Sequence, residues 1–225
     1  MDARTALEEL ARRGVDLTPA RVRSHVAPGA PAQRRPAAVL MLFGRLDDVP
    51  AEHTAGPVPA DLDVLLVERA RSLRQHPGQV AFPGGRTDPA DDGPVGTALR
   101  EAAEETGVTA DGIEVLGTLP PVPIPVSGHL VTPVLAWWAR PTPVQVVDVR
   151  ESAAVFRCPV GDLLDPGNRY EGIVEHEATR LRVGPAFDVG GRVVWGFTGL
   201  LLATLFDELG WAEPWEPTRR LTIRR

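Results

Sequence analysis

The stretch Pro83–Val108, PGGRTDPADDGPVGTALREAAEETGV, decides how this 225-residue chain is read. Gly93 followed by Pro94 suits a helix start, because the N–H that a first-turn proline lacks would have no partner there anyway. Gly107 supplies the stop. The spacing predicts a helix over Pro94–Thr106, with Val95, Ala98, Leu99, Ala102 and Thr106 in the i, i+3, i+4 pattern of a buried face. Glu101, Glu104 and Glu105 fall on the other side and gather three carboxylates on one patch. Such a patch repels itself unless something positive fills it. Arg100, one turn from Glu104, answers only one charge, and a hard divalent cation with oxygen ligands, Mg²⁺ or Mn²⁺, is the natural completion. A solvated Glu-rich face is the plain alternative for three Glu at this spacing. Just upstream, Gly84 and Gly85 follow Phe82-Pro83 at the end of a strand, where the backbone can approach a ligand closely.

Outward from this window, the pattern turns to strands. The run AAVLMLFG from Ala37 and the run DVLLVER over Asp63–Arg69 read as buried strands, and Ile113–Leu119, His129–Trp138, Val144–Val149 and Ala153–Pro159 follow. A second apolar helix is expected over Thr198–Leu209, closed by Gly210. Near the N-terminus, Asp2 to Gly14 has the spacing of a short helix, Thr18-Pro19 would open another, and the proline-rich 27–36 should be extended. Strands outnumber helices in an irregular order, which points to an α/β chain with a mixed β-sheet and helices packed on it.

Composition sets the outer limits. An apolar fraction of 43% and a charged fraction of 24% are ordinary for a folded domain. Lysine is absent, and the 24 arginines face 30 acids for a net charge of −6, which argues against coating nucleic acid. The charge is unevenly spread. Asp88–Glu105 holds six acids and one arginine, whereas Arg69–Arg86 holds Arg69, Arg71, Arg74 and Arg86 with no acid. The longest apolar run, Val193–Phe206, has 14 residues against the roughly 20 needed to span a bilayer, so no membrane association is expected. Charged residues interrupt any apolar N-terminal leader, and the lone Cys158 cannot form an internal disulfide; both suit a cytoplasmic setting.

On these residues the sequence resembles a Nudix hydrolase. That family's box reads G, five residues, E, seven residues, R-E-U-x-E-E-x-G-U, with U bulky and apolar. Here Gly85 opens it, Asp91 stands in the acidic position, and Arg100-Glu101-Ala102-Ala103-Glu104-Glu105-Thr106-Gly107-Val108 supplies the second half. The departures are an eight-residue spacer after Asp91, Asp for Glu, and a small Ala102. Upstream, Leu65-Leu66-Val67-Glu68-Arg69-Ala70, Arg74, Gly78 and Phe82-Pro83-Gly84-Gly85 are similar to the LLTxRSxxxRxxxGxxxFPGG signature of the coenzyme A diphosphatase branch, differing at Val67 and Ala70. Ser127-Gly128-His129, Glu151 and Trp195-Gly196-Phe197-Thr198-Gly199 also resemble that branch.

The resemblance implies a Nudix-type α/β/α sandwich over residues 37–225 and a metal-dependent cleavage of the diphosphate of coenzyme A or acyl-CoA, yielding 3′,5′-ADP and (acyl-)4′-phosphopantetheine. The alternatives are another nucleoside diphosphate derivative, such as ADP-ribose or NADH, or a silent nucleotide-binding protein. Glu101 and Glu105, one turn apart, are the first choice for metal ligands. Glu104 is either a third ligand or the residue that holds the attacking water, and Arg100 completes the catalytic set. Arg69, Arg74, Gly84 and Gly85 are expected on the substrate, since arginine forks match phosphate oxygens. His76 and His129 have no second ligand-spaced histidine, Cys158 reads as a packed thiol, and Trp137-Trp138 reads as a buried strand rather than a base-stacking pair. Residues 1–36 have no counterpart in the family. They are left either to pack on the core or to serve a homodimer.

Overall fold

The computed structural model describes residues 2–18, 34–45, 47, 49–73, 76–125, 127–176 and 179–223. Among these, the long apolar run becomes β1 (Arg35–Gly44), which pairs in parallel with β7 (His129–Trp138). Its other edge pairs antiparallel, first with β4 (Gly84–Arg86) and then with β2 (Asp63–Arg69). β3 (Val80–Ala81) and β8 (Ser152–Pro159) pair with β2, and β5 (Ile113–Thr118) and β6 (Val122–Ile124) pair with β7, completing an eight-stranded mixed sheet.

β1 is apolar at successive positions because both its faces are covered. Ala38, Leu40 and Leu42 join Leu65, Val134 and Trp138 against α2 (Gly93–Thr106), which meets them through Ala98 and Ala102. Met41 and Phe43 point the other way, joining Leu66 and Leu135 against α1 (Ala3–Arg13) and α4 (Gly196–Leu209). Helices thus lie on both faces of a mixed sheet, the α/β/α sandwich expected of the sequence. α1 is capped by Asp2, whose carboxylate accepts from the Thr5 amide at 3.0 Å, and it sends Leu7 and Leu10 fully into the shared core. The helix expected to open at Thr18-Pro19 falls, past Thr18, outside the described residues, as does most of the 27–36 connector.

Two expectations need correction. Val144–Val149 alternates like a strand but is not one; its Gln145 amide donates to the Thr106 carbonyl at 3.0 Å, satisfying an end group of α2 instead of a sheet. Beyond α3 (Val160–Leu164), a second sheet passes unannounced by the sequence. β9 (Arg169–His176), β10 (Thr179–Val189), β11 (Arg192–Val194) and β12 (Arg220–Ile223) form it in the order β11-β10-β9-β12. Its open face carries charged pairs such as Arg180–Glu175 and Arg182–Glu171, so no apolar run marks it. No described helix is long and apolar enough to cross a membrane.

Candidate active site

α2 brings its carboxylates against the glycine turn that leads into β4. The Gly84 amide donates to Oε2 of Glu105 at 3.1 Å. Burial pushes the Glu105 carboxyl up to about 7, and the nearby Glu101 and Glu151 carboxylates push the same way, while the Gly84 amide and the Arg69 guanidinium oppose them. Glu101 is also raised, mainly by burial, against the pull of Arg100. The two glycines are required by packing. A Cβ at Gly85 would lie 2.4 Å from the Glu101 carboxyl carbon, and one at Gly84 would lie 2.4 Å from the Ala38 carbonyl oxygen.

Asp91 fixes the loop that precedes the helix. Its Oδ1 accepts from Arg100 Nε at 2.7 Å, and its Oδ2 accepts from Arg100 Nη2 at 2.9 Å, the Asp88 amide at 2.8 Å and the Thr97 hydroxyl at 2.9 Å. The Arg100 fork holds the Asp91 carboxyl well below the usual carboxylate range. Eight intervening residues instead of seven therefore still deliver an acid to the arginine. The same guanidinium reaches Glu101 at 3.1 Å, Glu104 at 3.0 Å and the Arg86 carbonyl at 3.0 Å. Arg100 is thus a brace between the loop, β4 and the helix. It also divides the three carboxylates: Glu104 is 59% exposed and held by Arg100, whereas Glu101 and Glu105 turn inward toward the glycines.

No three His, Cys, Asp or Glu side chains make a ready metal cluster among the described residues. The Glu101–Glu105 pair nevertheless fits a hard dication. Two mutually repelling carboxylates, one buried with a single amide donor, face a cradle that a side chain at Gly85 would fill. Mg²⁺ commonly takes one or two carboxylates and completes its shell with water and substrate phosphate.

One of the arginines expected on the substrate lies near the carboxylates. Arg69 shares the α2 face of β2 with Leu65 and Val67, acts on Glu105, and has a buried Nε with no hydrogen-bond partner among the described residues. Arg74 lies outside the described residues. Arg71 is exposed, near Glu68, and His76 is exposed on a left-handed turn with φ 55°. Cys158 is buried and its thiol is pushed up, consistent with a packed role. Trp138 is buried in the α2-side core rather than open to a base. The sequence reading gave no site role to Asp91 or Glu151, which the fold brings to Arg100 and to the neighbourhood of Glu105. For Asp91 the signal was available in its box position; Glu151 sits 46 residues beyond Glu105, and only the pairing of β8 with β2 brings it near.

Residues 53–175 match the family model for the NUDIX domain. The protein named "Uncharacterized Nudix hydrolase NudL" from Cronobacter sakazakii is 36% identical over 147 residues, which is 65% of this chain and 75% of that protein. Its namesake from Salmonella newport is 37% identical over the same shares. Among solved structures, the NUDIX domain of Shewanella oneidensis NrtR complexed with ADP ribose is 26% identical, with a TM-score of 0.43, over 65% of this chain and 86% of that one.

Proposed function

Since the chain belongs to the NUDIX family and is a pyrophosphohydrolase, we propose that its substrate is coenzyme A or an acyl-CoA, cleaved at the diphosphate to 3′,5′-ADP and (acyl-)4′-phosphopantetheine. One observation carries this reading. Three of the residues of Leu65–Gly85 that resemble the coenzyme A branch lie around the candidate carboxylates: Leu65 backs α2, Arg69 acts on Glu105, and Gly84 donates to Glu105.

Nudix hydrolases generally use divalent metal ions, and a bound Mg²⁺ or Mn²⁺ supplies charge neutralisation of the diphosphate and a more acidic water. Glu101 and Glu105 would hold it. Glu104, exposed at the rim and fixed by Arg100, orients the attacking water or adds a ligand. Arg100 itself positions the carboxylates and does not touch substrate. Arg69 and Arg74 take phosphate oxygens, and the Gly84-Gly85 turn lets the diphosphate approach the backbone.

The test is a panel of CoA, acetyl-CoA, ADP-ribose and NADH offered to the purified protein with Mn²⁺, with products identified by mass. Release of 3′,5′-ADP from CoA species at the highest kcat/KM is expected. Preference for ADP-ribose or NADH over every CoA species overturns the proposal.

A further inference from the structure

At the Arg35 end of β1, strand register collects three basic side chains on one face of the large sheet. Arg35 pairs with His129 of β7 on one edge, and two residues on, Ala37 pairs with Arg86 of β4 on the other. Residues two apart on a strand share a face, so Arg35, Arg86 and His129 all lie on the side of Val39 and Met41, away from α2. Arg35 and Arg86 are exposed, and neither side chain has an ion pair or hydrogen bond with a described residue. Arg13 and Arg220 are also without such a partner among the described residues, but each stands apart, whereas other arginines are matched, as at Arg100–Asp91, Arg150–Asp148 and Arg180–Glu175. His129 feels the imbalance. Its ring bonds Ser127 Oγ at 2.9 Å, and its basicity is lowered by burial and by Arg86 and Arg35, with no acid opposing them.

We propose that Arg35, Arg86 and His129 form a subsite for a phosphate monoester that the substrate carries apart from its diphosphate. Charge count selects the ligand. Two guanidiniums leave two positive charges, which a monoester's charge of about −1.5 to −2 cancels and a single carboxylate does not. Guanidinium forks and an imidazole N–H also supply the planar donors that phosphate oxygens accept. Arg86 follows Gly84 by two residues, about 7 Å along the strand, so a substrate that meets the α2 carboxylates reaches Arg86 by passing around the edge of β4 that pairs with no described strand. The proposal deepens the coenzyme A reading and rests on it in one respect, that coenzyme A carries such a group as its 3′-phosphate. The same chemistry would also accept free phosphate.

The test is calorimetric binding of 3′,5′-ADP, 5′-AMP and inorganic phosphate to the full chain at fixed ionic strength. The parent should bind 3′,5′-ADP about tenfold or more tightly than 5′-AMP, and far more tightly than inorganic phosphate. Arg35→Ala and Arg86→Ala should each bring the ratio of the two nucleotides toward one, Arg86→Lys should restore part of it, and 3′,5′-ADP should raise the His129 titration followed by NMR while 5′-AMP should not. Equal affinities in the parent, a ratio that survives the double Ala variant, inorganic phosphate binding as tightly as 3′,5′-ADP, or no binding of 3′,5′-ADP overturns the subsite. None of these readouts needs hydrolysis. A retained ratio in a protein that ignores CoA would sink the coenzyme A reading alone, and turnover of CoA with a ratio of one would sink the subsite alone.

Discussion

The Gly84 amide donates to Oε2 of Glu105 across 3.1 Å, the one hydrogen bond to that carboxylate among the described residues. A single neutral donor does not repay the burial of an ionised carboxylate. The candidate site is therefore a place of stored electrostatic cost, which a cation or a proton relieves.

Glu105→Gln tests that cost. Burial raises the Glu105 carboxyl from 4.5 to about 7, so between those values the folded protein keeps a proton that the unfolded chain has released. Stability from this group is therefore present at low pH and is lost as pH rises through that window, by on the order of 3 kcal/mol. In chelator, the Gln variant should be more stable than its parent at about pH 8 and should lose less stability on going up from about pH 5. Its turnover with Mn²⁺ should fall roughly 100-fold. Urea melts and a product assay read both; a parent that outlasts the variant at the higher pH contradicts the expectation.

Alanine at the two neighbouring glycines should fail in different ways. At Gly84 the new Cβ meets backbone, the Ala38 carbonyl at 2.4 Å and the Val39 Cα at 2.7 Å, so β4 must leave β1. A loss of about 1–3 kcal/mol is expected, seen as a lower melting temperature. At Gly85 it meets the far end of Glu101, which can swing aside. That variant should melt near its parent yet lose about 100-fold in kcat, because a ligand is displaced by an ångström or more.

Arg100→Lys keeps the charge and removes the fork. Lysine cannot bond Asp91 through two nitrogens while also reaching Glu104 and the Arg86 carbonyl. Metal affinity and kcat should each fall about tenfold or more, with metal titration followed by calorimetry as the readout beside activity. An unchanged metal affinity would mean that the brace does not act on the carboxylates.

Leu7→Ala addresses the N-terminal helix. Leu7 is fully buried in the same cluster as Phe43, Leu201 and Phe206, so truncation should cost about 2–5 kcal/mol in denaturant melts without changing the KM of properly folded protein. A cost near zero would mark α1 as an appendage.

How far the sequence carried depended on whether local pattern or distant partners set each element. α2 was legible because its caps, its buried Ala98 and Ala102, and its three carboxylates all repeat within one 14-residue helix. β1, β2 and β7 were legible because apolar residues on both faces leave long runs. Val144–Val149 misled because alternation looks the same whether the amides serve a sheet or, as with Gln145, the end of a helix. β9 to β12 were invisible for the opposite reason, since cross-strand ion pairs such as Arg182–Glu171 replace apolar side chains on their open face. Register alone assembled Arg35, Arg86 and His129, which lie far apart in the chain.

The alternation of β1 between two cores has a consequence for how the protein can change over generations. Substitutions that repack Met41, Phe43 and the helices beneath them act on melting, while those under Ala38, Leu40 and Leu42 shift the helix that presents the carboxylates. One strand therefore couples chemistry to stability on one face and carries stability alone on the other. A lineage can drift on the first face to suit a new temperature, whereas selection on the second moves the carboxylates and the melting point together.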